Sequence, residues 1–270
     1  MKKIAIHSVP RSGSSWVGQI FNSSPDVNFK FQPLFSYAFK DILNAYSSNA
    51  EINHFFNSIA QSNDEFLLQQ DKIDKGIYPC FKKNENYTHI VYKEVRYHHI
   101  LENMLKINDE IIVIGLVRNP YAVINSFLNA PREFRKDLGW KPMEEWEKAD
   151  KKNLGRQEEF YGYMKWKEVL FTFKKLQKLY PQRFYLLNYD DLLSHTTEEV
   201  KKIFKFCEIQ ITQQTEDFLA KSTSKNLQDA YSVYKEKSQD IEWKNTLDSS
   251  IRDKITVDLQ KLKLEEYVVR

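Results

Sequence analysis

The chain has 270 residues, of which 41% are hydrophobic and 14% aromatic. That is enough apolar mass to bury a core, which excludes wholesale disorder. Its 40 Lys and Arg nearly balance 37 Asp and Glu, a formal net charge of +3, which excludes a general nucleic-acid or membrane-surface binder and requires any anion affinity to come from a local site.

Cys80 and Cys207 make no disulfide framework and read as free thiols of a reducing compartment. The apolar run before Pro10 is short for a secretory signal, and no stretch has the apolar length to span a bilayer, so no integral membrane segment is expected and a cytoplasmic location is.

The first apolar run is Ile4–Val9. Trp16, Val17, Ile20 and Phe21 then form one stripe at helical spacing within Ser14–Ser23, so the chain opens as strand, loop, helix. Further strands are expected at His89–Val95, at the continuous β-branched run Ile111–Val117 and at Arg183–Asn188. Helices are expected after Ile100, over Tyr121–Leu128 with Pro120 in its first turn, and over Thr197–Cys207. Leu34–Gln61 and Arg156–Tyr180 read as additional helices, and Lys136–Asn153 as an irregular insertion. Lys221–Leu247 is polar and aperiodic, the pattern of a lid or binding loop. Strands alternating with helices predict an α/β fold: a three-layer parallel sheet of the P-loop nucleotide-binding type, with helices on both faces. No linker divides residues 1–270, and one domain is expected.

Two segments carry anion-binding chemistry. Pro10-Arg11-Ser12-Gly13-Ser14-Ser15-Trp16 joins a buried strand to a helix N-terminus, where orphan backbone N–H groups and the helix dipole favour an anion. Gly13 lets the backbone wrap a phosphate, Ser14 and Ser15 offer hydroxyls, and Arg11 adds charge; the plainer reading is a serine-capped turn. Arg118 ends the buried strand Ile111–Val117, and Ser126 follows two turns into the next helix. Ligands of open α/β sheets bind at that strand edge, whereas a surface arginine and a tolerated helix serine are the plainer alternative. A nucleoside-triphosphate P-loop is disfavoured, because no lysine follows the glycine and an arginine stands where many such enzymes place a Mg²⁺-binding aspartate. No residue set has metal-ligand spacing, so no metal is expected.

The loop wording Arg11-Ser12-Gly13-Ser14-Ser15, with Val-Gly-Gln-Ile-Phe-Asn over 17–22, resembles the 5′-phosphosulfate loop of sulfotransferases that use 3′-phosphoadenosine 5′-phosphosulfate (PAPS), and is closest to the carbohydrate 6-O-sulfotransferases. The Arg118 and Ser126 pair resembles that family's 3′-phosphate site. Tyr185-Leu-Leu-Asn-Tyr189-Asp-Asp-Leu192 resembles its Tyr-Glu-Asp-Leu strand end, and Ser232, Lys235, Trp243 and Lys244 resemble its C-terminal loop. The resemblance implies sulfuryl transfer from PAPS to a hydroxyl acceptor, with PAP as product and a glycan or glycolipid as the expected acceptor. It implies that Arg11, Ser12, Gly13, Ser14 and Ser15 hold the phosphosulfate. Trp16 and Tyr189 would face the adenine, and Arg118, Ser126 and Lys235 the 3′-phosphate.

Such a transfer needs a cation at the leaving phosphate, for which Arg11 stands, and a general base at the acceptor hydroxyl. Where carbohydrate sulfotransferases carry a catalytic glutamate this chain has Gln32, which is no useful base. Cytosolic relatives place a histidine on the strand before the 3′-phosphate motif; the nearest segment here is Lys93–His99, leaving Glu94 and His98 as candidates. A nucleotide-dependent kinase and a non-catalytic nucleotide- or glycan-binding protein are the alternatives.

Overall fold

The structure, a computed structural model, describes residues 1–224, 233–234 and 240–268. Its sheet contains β1 (Lys2–His7), β2 (Val27–Phe31), β3 (His89–Glu94), β4 (Ile111–Val117) and β5 (Phe184–Asn188) in the order β2-β3-β1-β4-β5, with every pair parallel. The strands are short apolar runs because both faces of a parallel sheet are covered. Alternation along β1 sends Ala5 into one core, with Tyr92, Val113 and Phe173, and Ile4 and Ile6 into another, with Val17, Val91 and Phe204. This makes the three layers expected from the alternating pattern.

The helices are α1 (Ser14–Asn22), α2 (Asn49–Gln61), α3 (Leu101–Ile107), α4 (Pro120–Leu128), α5 (Tyr163–Leu179), α6 (Thr196–Cys207), α7 (Gln213–Ser224) and α8 (Ser249–Leu262), with shorter helical turns between them. α1, α6 and α7 cover one face and α2, α3, α4, α5 and α8 the other.

Several boundaries differ from expectation. β2 is a five-residue edge strand (VNFKF) too brief to stand out as a period. Helix over Leu34–Gln61 is confined to a turn at Pro33–Phe35 and to α2, whose start is set by a capping box between Ser48 and Glu51. The expected helix over Arg156–Tyr180 starts only at Tyr163, after Gly162 at φ 90°. The charged stretch Lys136–Asn153 is short turns anchored by Trp146, buried and stacked on Tyr163 at 5.9 Å.

Register decides the placement of the loops. His7 of β1 lies beside Glu94 of β3 and Gly115 of β4. The loop after β1, the turn after β3 and Arg118 after β4 therefore emerge side by side along one edge of the sheet.

Candidate active site

The loop from Ser8 to Gly13 turns sharply to start α1. Arg11 and Gly13 both take left-handed backbone, at φ 69° and 84°. At Gly13 the reason is also steric: a Cβ there would lie 2.4 Å from Cε2 of Tyr189. The first N–H groups of a helix have no intrahelical partner, and α1 points its N-terminus into a cleft of about 1000 Å³ lined by Gly13, Ser14, Ser15 and Trp16.

The second segment meets the first there. Asn119 caps α4 by accepting from the Tyr121 N–H at 3.0 Å, and Pro120 occupies the first turn. Ser126 accepts from Arg11 Nε at 3.0 Å. Arg118 donates through Nη1 to the Arg11 carbonyl at 2.7 Å, and through Nε and Nη2 to the two carboxylate oxygens of Asp240 at 2.5 and 2.6 Å. The indole of Trp166 donates to the Arg118 carbonyl at 2.9 Å, fixing the strand tip. Trp16 and Tyr189 form an aromatic wall, their rings edge-to-face at 6.1 Å, and the Trp16 indole donates to Ser222 of α7 at 3.0 Å. The Arg118 guanidinium lies 5.0 Å from the centre of the Tyr189 ring.

The other end of the cleft is built by the tips of β2 and β3 and the turn after α4. Gln32, in left-handed backbone at φ 43°, donates its N–H to the Lys93 carbonyl at 2.8 Å. Lys93 is buried with its ammonium 4.3 Å from the centre of the Phe31 ring, and burial pushes its pKa down to about 7. Arg96 pairs with Glu159 at 2.9 Å and covers the ring of Phe35. Glu133 faces this end, its Oε2 3.5 Å from Nη1 of Arg11.

Of the residues singled out from sequence, Arg11, Gly13, Ser14, Ser15, Trp16, Arg118, Ser126 and Tyr189 all line this one cleft. Ser12 does not: it is fully buried behind the loop, and its hydroxyl has no hydrogen-bond partner among the described residues. Trp243 lines the cleft and stacks on Tyr121 at 4.4 Å, while Lys244 is exposed. Ser232 and Lys235 lie outside the described residues.

The two base candidates are not brought to the cleft. Strand alternation does send Lys93 and Val95 to its wall, and Glu94 the other way. Glu94 is fully buried; Oε1 accepts from the Val95 N–H at 2.9 Å, and burial raises its pKa to about 7. The strand then turns at Tyr97, in left-handed backbone, and carries His98 into the core. There the His98 ring packs on Phe160 and Phe173, with Nδ1 3.0 Å from Nδ1 of His7, and burial lowers its pKa well below the usual range. Residues not foreseen at the site are Lys93, Glu133 and Asp240. The side taken by Lys93 follows from alternation along β3; Glu133 and Asp240 sit in irregular chain that has no period to read.

Among the described residues no group of three or more His, Cys, Asp or Glu is arranged to hold a metal ion, and no helix is long and apolar enough to cross a membrane.

The profile of the sulfotransferase family matches residues 3–213. No curated protein sequence matches the chain significantly. Among solved structures, mouse sulfotransferase SULT7A1 complexed with PAP is similar at TM-score 0.55 and 13% identity, over 99% of this chain and 89% of that one. A sulfotransferase from Alicyclobacillus acidocaldarius is similar at TM-score 0.54 and 11% identity, over 99% and 96%. A retinol dehydratase in complex with retinol and PAP is similar at TM-score 0.53 and 14% identity, over 95% and 81%. At these identities the likeness is one of fold.

Proposed function

The chain belongs to the sulfotransferase family, and from that premise we propose that it moves the sulfuryl group of PAPS onto a hydroxyl of a carbohydrate. The observation that carries this reading is the link between two anion-binding segments far apart in sequence: Arg118 donates to the Arg11 carbonyl at 2.7 Å while Arg11 itself reaches Ser126 at 3.0 Å. PAPS carries anions at both ends of one nucleoside, and the cleft holds two arginines, Arg11 and Arg118, of which Arg118 is paired with Asp240 in this structure.

In the bound state Arg118 and Ser126 take the 3′-phosphate, Trp16 and Tyr189 flank the adenine, and Gly13 to Ser15 with Arg11 hold the phosphosulfate. Transfer is dominated by positioning and charge stabilisation. The acceptor oxygen forms a bond to sulfur as the bond from sulfur to the 5′-phosphate oxygen breaks. The electron pair stays on that phosphate, whose growing charge faces Arg11 and the N-terminus of α1. Lys93 lies on the acceptor side, where an anionic sulfuryl group favours its charged form.

The carbohydrate acceptor is supported by the wording of the first loop and by the opposite end of the cleft. There Phe31, Phe35 and Tyr161 line the cleft together with Gln32, Lys93 and Arg96, whose guanidinium lies over the Phe35 ring. Sugars present both apolar ring faces and polar edges. An acceptor screen with labelled PAPS tests the reading: oligosaccharides and glycolipids, phenols, and simple alcohols in parallel, alongside calorimetry with PAP. Label on sugar hydroxyls is expected. Label confined to phenols overturns the acceptor class, and failure to bind PAP overturns the whole reading.

A further inference from the structure

Sulfuryl transfer leaves one proton to be placed. A sugar hydroxyl is a weak acid, so its attack on sulfur needs a group that accepts that proton as the bond forms. Gln32 cannot serve, and Glu94 and His98 are sealed in the core. Among the described residues lining the cleft there is no histidine, and the carboxylates are Glu133, Asp240 and Glu242.

Position separates these three. Asp240 grips Arg118, and Glu242 precedes Trp243, which stacks on Tyr121 of α4; both belong to the segment seated over the 3′-phosphate end. Glu133 lies in the turn beyond α4, at the phosphosulfate end. Its side chain is 19% exposed, while Oε2 itself is buried, 3.5 Å from Nη1 of Arg11 and without a hydrogen-bond partner among the described residues. On the sulfuryl-transfer reading, this puts a carboxylate beside the arginine that meets the leaving phosphate, facing the acceptor end of the cleft.

We propose that Glu133 is the general base of this enzyme: it accepts the acceptor's hydroxyl proton while the oxygen bonds to sulfur and the electron pair of the old sulfur–oxygen bond passes to PAP. The protonated Glu133 then returns its proton to solvent through the open cleft. Arg11 has a consistent second role: when phosphosulfate draws its guanidinium forward, Glu133 is left facing the acceptor. This inference rests on the sulfuryl-transfer reading.

The test compares the full-length protein with Glu133→Gln and Glu133→Asp variants. Three quantities are measured: kcat with the best acceptor of the screen, release of labelled sulfate from PAPS in water alone, and PAP affinity by calorimetry. Glu133→Gln is expected to lower kcat and sulfate release by about 10²–10⁴-fold, with PAP affinity within about twofold of wild type, and Glu133→Asp to recover part of the rate. A loss of PAP affinity that accounts for the loss of rate overturns the proposal, because it makes Glu133 only a support for Arg11. Unchanged turnover in Glu133→Gln overturns it as well. Wild-type protein that binds PAP yet transfers sulfuryl neither to an acceptor nor to water overturns the transferase reading instead.

Discussion

Arg118 holds Asp240 by a two-point ion pair, with Nε and Nη2 at 2.5 and 2.6 Å from the two carboxylate oxygens. Both side chains are buried. Carboxylate and phosphate engage arginine with the same bidentate geometry, so on the proposed assignment of Arg118 to the 3′-phosphate the Asp240 carboxylate occupies the face that the phosphate would use. Under that assignment, nucleotide binding exchanges one anion for the other.

Removing the competitor therefore tightens binding. Asp240→Asn keeps the shape but weakens a charge-assisted pair worth about 1.5–3 kcal/mol, so PAP affinity measured by calorimetry rises by about tenfold. Weaker PAP binding in this variant would show that Asp240 orients Arg118 rather than masking it.

On the proposed assignment, the contact of Arg118 with the 3′-phosphate is separable from the rest of nucleotide binding. Arg118→Ala weakens PAP by about tenfold or more, from the same range of charge-assisted bond energies, while 5′-AMP, which lacks the 3′-phosphate, changes little. Equal losses for both nucleotides would assign Arg118 to another part of the ligand.

Gly13 is constrained twice. Its φ of 84° disfavours an L side chain by about 1–2 kcal/mol, and the new Cβ would meet the Tyr189 ring at 2.4 Å. Gly13→Ala displaces both the loop and the Tyr189 ring, which on the proposed reading flanks the adenine. A lower melting temperature is expected together with at least a tenfold loss in PAP affinity. A variant that melts and binds like wild type would mean that the loop and the ring part freely.

The buried histidine pair makes stability depend on pH. Burial lowers the His7 pKa from 6.5 to about 3, and His98 moves in the same direction. The unfolded chain then binds protons that the folded chain refuses, so this contribution is full above pH 6.5 and is lost as pH falls towards 3. Each pH unit in that window costs about 1.4 kcal/mol for one such group. Glu94 acts with the opposite sign, because its folded pKa is raised from 4.5 to about 7, stabilising the fold as pH falls through that range. The histidine contribution is therefore read as a difference between proteins. Against wild type, denaturant unfolding of His7→Gln with His98→Gln should become relatively more favourable to the variant at pH 5 than at pH 7. A difference that does not change with pH would place the pair's titration outside the folding equilibrium.

Chelation supplies a further check. With an arginine at the tip of β4 and no metal-binding cluster among the described residues, transfer assayed in excess EDTA keeps its rate. Loss restored by Mg²⁺ would favour the kinase reading.

Much of the fold was legible in residue order alone. Four of the strands are dense apolar runs, because a sheet covered on both faces admits little else, and the stripes of α1 and α6 follow from burial on one side. β2 was missed because five residues at a sheet edge carry little pattern. That Arg11, Gly13 and Arg118 share one cleft was legible for a related reason: they stand at strand-to-helix junctions, where backbone geometry favours an anion.

The acceptor end was not legible, because it is assembled from separate pieces of chain. Glu133 stands in a turn and Asp240 in aperiodic chain, and nothing in their neighbours marks either as facing Arg11 or Arg118. His98 illustrates the converse: in sequence it lies four residues past Glu94, at the end of a strand aimed at the site. A left-handed turn at Tyr97, φ 57°, rotates it into the core against His7. Local order by itself determined which elements form and which strand-to-helix junctions favour an anion, since both depend on backbone and near neighbours. Only the tertiary structure decided which ionisable side chains share the cleft, since that depends on the parallel register that sets the tips of β1, β3 and β4 side by side.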